Sequence, residues 1–410
     1  MGVADIYKLG RLARIGIVSD ASYPAHTTNT QQVIKNASAF AMAGLDVELV
    51  IPMPLKQYFG SSKELVESIY QYYNVPPKLK IRVLRSIPAS SLRWEKFSHL
   101  FASSLYSWIQ KYDLIYTRNE TLAIYCLLIG KPFIFEHYRR FGHEFPKGMR
   151  RVANLARNRA LFGMVLHSEL AAQSMEMAGI SRDKILVLHN GYDSSDMEPR
   201  LSREEARKLL QLPQDRKLAV YAGNMQKGKS IETLIDLAVE LPDTTFCLVG
   251  GTAEDLERLN AYSREKNANN VMLPGWQPIA EVSKYLYAAD ALLIPCTAAP
   301  LLQHGTTVLP FKIFPYLASG RAILAANTPD ICEILSHKEN AYLVTPDDAK
   351  AAAEGLGELL SNDALRSQIE ENALSTSLSL TWERRAGRFK QWLAKMCAVP
   401  QTEATEELVK

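Results

Sequence analysis

Short apolar runs alternate with stretches of helical periodicity along almost the whole chain. That alternation is the pattern of βαβ units, in which each strand returns through a helix to a parallel neighbour. The first half supplies seven strand candidates: RIGIVSD, VELVIP, KIRVLRS, LIYTRN, PFIFEH, GMVLHS and ILVLHN. The second half supplies six: KLAVYAGN, TTFCLVGG, NVMLPGW, ALLIPC, AILAAN and AYLVTP. At 410 residues the chain is long for one core, and its 47% hydrophobic content is enough for two. The pattern predicts an α/β chain of two consecutive Rossmann-like domains. Residues 190–217, NGYDSSDMEPRLSREEARKLLQLPQDRK, are rich in Asp, Ser, Pro and charge and hold no apolar strand. The predicted domains are therefore 1–195 and 196–382. The stretch TWERRAGRFKQWLAKMCAV reads as an amphipathic helix over 383–399 that crosses back to dock on the first domain, and PQTEATEELVK as a disordered tail over 400–410.

Charge divides along the same line. Residues 1–190 hold 24 Lys+Arg against 14 Asp+Glu, or +10; the remainder holds 23 against 30, or −7, which sums to +3. A basic half beside an acidic half points to separate partners. The five cysteines are scattered, with no C-x-x-C pair, as expected of reduced thiols in the cytosol. MGVADIYKLGRLARIG lacks the apolar core of a signal peptide, Ile6 breaks the myristoylation pattern, and TLAIYCLLIG is too short to span a bilayer. These features predict a cytoplasmic protein that at most rests on the inner membrane face.

Open α/β sheets bind ligands at the carboxyl ends of their strands, so two facing sheets would hold a ligand in the cleft between them. No glycine follows Gly16 in IGIVSDASYPAHTTNT, which disfavours a dinucleotide-binding dehydrogenase, and GNMQKGKS lacks the Walker spacing. In YAGNMQKGKSIETLIDLA a strand ends at Gly223, a turn carries Lys227 and Lys229, and a helix is predicted from near Ser230. Backbone N–H groups and two ammoniums at such a turn suit an anion. A solvated turn with exposed lysines has the same sequence. FCLVGGTAEDLERL repeats the strand–glycine–helix design, with Gly250 open to close approach by a ligand.

In order, LHNGYD, YAGNMQKGKSIETLI, FCLVGG, VMLPGW, YLYAADALLIPC, PFKIFPYLASGRAILAAN and CEIL resemble the retaining glycosyltransferases of family 4, the group 1 transferases with the two-domain GT-B fold. The resemblance is continuous from about 185 to 385 and looser in the first half, through AFAMAGLDVELVIP and PFIFEHY. It implies a hexosyltransferase whose donor is a UDP- or GDP-linked sugar bound to the second domain, with no cofactor and no metal. Lys229 would hold the diphosphate, with Lys227 as a near alternative, and His137 would lie by the donor sugar; these are the implied catalytic residues. Gly223, Asn224, Gly250 and Gly275 complete the implied donor site, although Asn224 stands where relatives commonly have an arginine.

The same resemblance exposes two departures. Relatives carry two glutamates eight positions apart before Y-x-A-x-G, the second accepting hydrogen bonds from the ribose hydroxyls. Here those positions are Thr307 and Pro315, leaving Thr306, Thr307 and the flexible Gly305 to meet a sugar or phosphate; Lys312 is retained, in a place that also suits an exposed helix lysine. In the first domain, Thr27, Thr28, Asn29 and Thr30 replace a glycine pair, and helix capping is the first reading for them. The acceptor implied is a glycan, a glycolipid or a small molecule. Arg139, Arg140, Arg150 and Arg151, in the basic stretch 139–159, would lie on an anionic membrane that presents a lipid-linked acceptor, or simply form a solvated helix face. No nucleic acid is expected as a partner. The lost glutamates leave a second reading: a catalytically silent homologue acting as a membrane-associated or assembly partner.

Overall fold

The computed structural model describes residues 13–25, 27–85, 94–138, 160–299 and 309–398. The chain forms two compact units: Met1–His189 with Trp382–Lys410, and Asn190–Thr381. The first holds β1 (Ile15–Val18), α1 (Thr28–Met42), β2 (Val47–Pro52), α2 (Ser62–Tyr73), β3 (Lys80–Leu84), α3 (Trp94–Ile109), β4 (Leu114–Thr117), α4 (Glu120–Ile129), β5 (Phe133–His137), β6 (Leu161–Leu166), α5 (Glu169–Met177) and β7 (Ile185–Val187). The second holds α6 (Arg203–Leu209), β8 (Lys217–Ala222), α7 (Glu232–Glu240), β9 (Thr244–Val249), α8 (Ala253–Glu265), β10 (Val271–Gly275), α9 (Ile279–Ala288), β11 (Ala291–Leu293), α10 (Ile313–Ser319), β12 (Ala322–Ala326), β13 (Tyr342–Val344), α11 (Ala349–Ser361) and α12 (Asp363–Ser377). The last helix, α13 (Trp382–Ala398), belongs to the first unit. All thirteen strands anticipated from the sequence are present.

Each sheet is doubly wound. The first has seven strands in the order β3-β2-β1-β4-β5-β6-β7, the second six in the order β10-β9-β8-β11-β12-β13. Every pairing is parallel; β1, for example, aligns Ile15 with Val47 on one side and with Leu114 on the other. The strand order reverses beside β1 in the first sheet and beside β8 in the second, and such reversals are where α/β sheets open toward ligands.

The crossing-back predicted for the C-terminal helix is seen within the first unit. Its buried stripe, Trp382, Ala386, Phe389 and Leu393, follows helical spacing. Phe389 stacks on Phe40 of α1 at 4.2 Å between centroids and meets Tyr116 edge-on at 5.7 Å. Trp392 crosses β6 at Gly163, where a Cβ would come within 2.5 Å of its ring, so only glycine leaves room for the indole. At the start of α1, Thr27 Oγ1 accepts a hydrogen bond from Thr30 N–H at 3.2 Å, the capping role first read for this segment.

Candidate active site

The reversal point of the second sheet gathers the segments singled out by sequence. Gly223 N–H donates to Val249 O at 3.0 Å, and Gly250 N–H to Gly275 O at 2.8 Å, so the ends of β8, β9 and β10 form one continuous edge. Gly250 has φ +125°, and a Cβ there would lie 2.1 Å from Gly223 O; no side chain fits. Gly223, Gly250 and Gly275, separate in sequence, are thus neighbours.

The loop after β8 is ordered by its own backbone. Asn224 Oδ1 accepts from Gln226 N–H at 2.8 Å, and Lys229 N–H donates to Gln226 O at 3.1 Å. The Asn224 side chain therefore serves the turn rather than standing out as an arginine would. Ser230 closes the loop just ahead of the helix expected near it. It lies at φ 54°, outside the helix, and α7 starts at Glu232 with no side-chain cap. Instead, Ser230 O accepts from the Thr233 hydroxyl at 2.7 Å, closing the turn before the helix. Arg258 ties this loop to α8 through Met225 O at 2.5 Å and through an ion pair with Glu232. Lys227 and Lys229 are exposed, and among the described residues neither has an ion-pair partner. The start of α8 differs in charge. There Thr252 and Asp255 form a capping box, with Asp255 Oδ2 accepting from Thr252 N–H at 3.0 Å, so a carboxylate already occupies that end. An anion is favoured at the β8 loop over the β9 loop.

From the other side of the reversal point comes α10. Its first turn explains the second proline of PFKIFPYLASG. The N-cap is Lys312, so Pro315 falls at the third helical position, where a backbone N–H has no partner inside the helix. The residue after it is a lock. Tyr316, 1% exposed, accepts from Ala222 N–H at 2.7 Å through its hydroxyl, which also lies 3.4 Å from Leu293 O. It joins the ends of β8 and β11 directly beneath the glycine turn. Tyr316→Phe removes the acceptor from a buried N–H, and we expect it to destabilise the protein by about 1–3 kcal/mol, read as a lower urea midpoint. Lys312 is not an exposed helix lysine: its Nζ sits 3.6 Å from the centroid of the Tyr221 ring and borders Gly223.

In the first unit, His137 ends β5, nearly buried, its ring stacked with Phe135 at 5.5 Å and Tyr138 at 5.7 Å. Strand alternation sends Glu136 to the opposite face, and what it meets there left no mark in the local sequence. Glu136 Oε1 accepts from Arg385 at 2.6 Å, from Gln32 Nε2 at 2.8 Å and from His167 Nε2 at 2.7 Å. Arg118 lies 3.9 Å away and bonds Gln32. Burial alone would raise the Glu136 carboxyl, but the His167 hydrogen bond and the nearby cationic side chains hold it well below the usual carboxylate range. The only sequence signal for Arg385 was one arginine beside the apolar stripe of a helix.

Burial pushes His167 down to about 4, and His99, whose Nε2 faces Ser19 O at 3.0 Å, also to about 4. Both are neutral in the fold and would gain a proton on unfolding below about pH 6.5. Stability of the first unit is therefore expected to fall as pH drops from about 6.5 toward 4, by up to roughly 2.7 kcal/mol per pH unit for two protons. Urea unfolding at a series of pH values checks this; a flat profile between pH 6.5 and 5 would contradict it.

Thr306 and Thr307, with Gly305, lie outside the described residues, as do Arg139, Arg140, Arg150 and Arg151. Among the described residues no group of three or more His, Cys, Asp or Glu is placed to hold a metal ion, and no helix is long and apolar enough to cross a membrane.

Residues 202–376, nearly all of the second unit, match the family described as Glycosyl transferases group 1. The crystal structure of Anabaena HepE in complex with UDP and glucose superposes with a TM-score of 0.70 at 17% identity, over 93% of this chain and 99% of that one. Over nearly its full length the chain has the GT-B fold, and residues 202–376 resemble group 1 glycosyltransferases in sequence. Bacillus subtilis TuaC, named as a teichuronic acid biosynthesis glycosyltransferase, is 21% identical over 352 residues, 81% of this chain and 83% of its own. A D-inositol 3-phosphate glycosyltransferase of Nocardioides is 25% identical over 229 residues, 53% of this chain and 49% of that protein. The likeness in fold thus runs over nearly the full length, and the sequence match to group 1 glycosyltransferases falls in the second unit, where the glycine edge lies.

Proposed function

We propose that the protein transfers a hexose from a UDP- or GDP-linked sugar to a hydroxyl of a glycan, glycolipid or small molecule, with retention of anomeric configuration. One observation carries this reading: three glycine turns line the ends of β10, β9 and β8, and an exposed cationic loop follows at the reversal point of a sheet whose sequence matches group 1 glycosyltransferases. The UDP and glucose bound by HepE support a nucleotide-sugar donor.

In this reading the diphosphate lies along the Gly223–Gly250 edge with Lys229 beside it. As the glycosidic bond breaks, negative charge collects on the departing diphosphate, and a fixed cation with backbone N–H groups stabilises it more than it does the intact donor. The departing phosphate oxygen takes the acceptor's proton, so the step needs neither a protein base nor a metal. His137 contacts the sugar, and the basic stretch 139–159 brings the protein to an anionic membrane face on the cytoplasmic side.

Pro315 is the observation that favours a silent homologue, since it offers no acceptor to a ribose. A lost charge-assisted hydrogen bond costs about 1.5–3 kcal/mol, roughly one to two decades in affinity, which transfer survives. Incubation with UDP- and GDP-linked glucose, galactose, mannose and N-acetylglucosamine, followed by nucleotide release, tests the choice. Turnover of any donor above the buffer rate supports the enzyme; no turnover together with no heat of UDP or GDP binding supports the silent homologue.

A further inference from the structure

Lys312 is a cation that the described residues leave without a counter-charge. Its Nζ stands over the Tyr221 ring at 3.6 Å and borders Gly223, where a Cβ would come 3.1 Å from it. The charged group that acts on it is another cation, Lys229, and among the described residues no carboxylate pairs with it. Burial, then repulsion from Lys229, pushes its pKa well below the ordinary lysine value. The Tyr221 ring face offsets part of this cost, but its hydroxyl is engaged elsewhere, donating to Asn224 O at 2.6 Å. Enclosing an amine beside a like charge works against folding, and such an arrangement is understandable where a ligand supplies the missing anion. At the same edge, Asn224 spends its side-chain oxygen on Gln226 N–H and presents no cation.

We propose that Lys312 is the second cation of the diphosphate site, gripping from the enclosed side of the β8–β11 junction the anion that Lys229 meets from the exposed loop. The proposal rests on the nucleotide-sugar reading above and adds a residue to it. Two cations at one strand end match the two linked phosphates of a nucleoside diphosphate, and leave a bare nucleoside without its main attraction.

The test uses the full-length protein, with inorganic pyrophosphate, UDP, GDP and uridine as probes in calorimetry, and thermal unfolding alongside. Lys312→Met keeps the length and apolar stem of the side chain and removes the charge. It is expected to weaken pyrophosphate and nucleoside diphosphate binding by about 10- to 100-fold, to leave the weak binding of uridine unchanged, and to raise the unfolding temperature. Lys312→Arg, which keeps the charge, should retain more of the pyrophosphate affinity than Lys312→Met. A lysine serving only the fold would give the reverse: a lower unfolding temperature with pyrophosphate affinity unchanged, and that result overturns the proposal. Wild-type protein that binds UDP or GDP as tightly as Lys312→Met does refutes the role of Lys312 alone. Wild-type protein that binds neither pyrophosphate, UDP nor GDP refutes it together with the reading it rests on.

Discussion

Arg385→Ala is expected to destabilise the first unit by about 3–5 kcal/mol, a large part of the 5–15 kcal/mol that holds a typical domain together. Arg385 and Glu136 are 2% and 1% exposed at their side chains. The guanidinium also donates to Asn36 Oδ1 at 2.8 Å, to His189 O at 2.7 Å and to Leu188 O, so one side chain joins α13, α1, β5 and the segment after β7. Truncation leaves Glu136 in the interior with a neutral His167 and the more distant Arg118, and strands two carbonyls. The cost comes from the abandoned charge more than from the pair itself, because desolvating both ions offsets most of their attraction. A double variant follows from that. Glu136→Gln with Arg385→Met should be less destabilised than the sum of the single changes, by about 1–3 kcal/mol of coupling in a double-mutant cycle. Urea midpoints of wild type, Glu136→Gln, Arg385→Met and the double variant measure it; for Arg385→Ala, measured beside them, a cost below about 1 kcal/mol would show that α13 is held by its aromatic face alone.

That pair also marks how far the chain could be read before its structure. Strands such as Phe133–Phe135 and Phe246–Val249 are buried on both faces, and strands of that kind appear in sequence as apolar runs that need no partner to be recognised. The glycine turns were legible for a similar reason: Gly250 is required by its own backbone angle and by Gly223, one strand away. Arg385 and Glu136 lie 249 positions apart, and nothing local distinguishes a buried arginine from the four other basic residues of the same helix. Lys312 was obscured in the same way, since its surroundings come from Tyr221 and Gly223, about 90 residues earlier. The helix expected from near Ser230 is there, but the left-handed backbone of Ser230 ends the turn and the helix itself begins at Glu232. Periodicity and composition report what one segment wants; polar side chains that answer to distant segments stay hidden until the fold brings them together.

Lys229→Ala is expected to lower kcat/KM for whichever UDP- or GDP-linked sugar turns over by about 10²–10³-fold without lowering the unfolding temperature. The two halves of that expectation have separate causes. Lys229 is exposed and has no ion-pair partner among the described residues, so the folded chain loses little with its side chain. Its backbone N–H still closes the turn onto Gln226 O, and Arg258 still anchors the loop, so the strand end keeps its shape. The proposed reaction, by contrast, would gather charge on a diphosphate at this place, and an ammonium held there would contribute most once the bond has begun to break. The loss should therefore appear mainly in kcat, with KM changed less. Lys227→Ala, measured beside it, assigns the role between the two lysines of the loop: the variant with the larger fall in kcat marks the residue that meets the leaving group. Were both variants to keep wild-type kcat with only KM raised, the loop would be an anion tether that treats donor and transition state alike, and the acceleration would have to come from the glycine edge and Lys312.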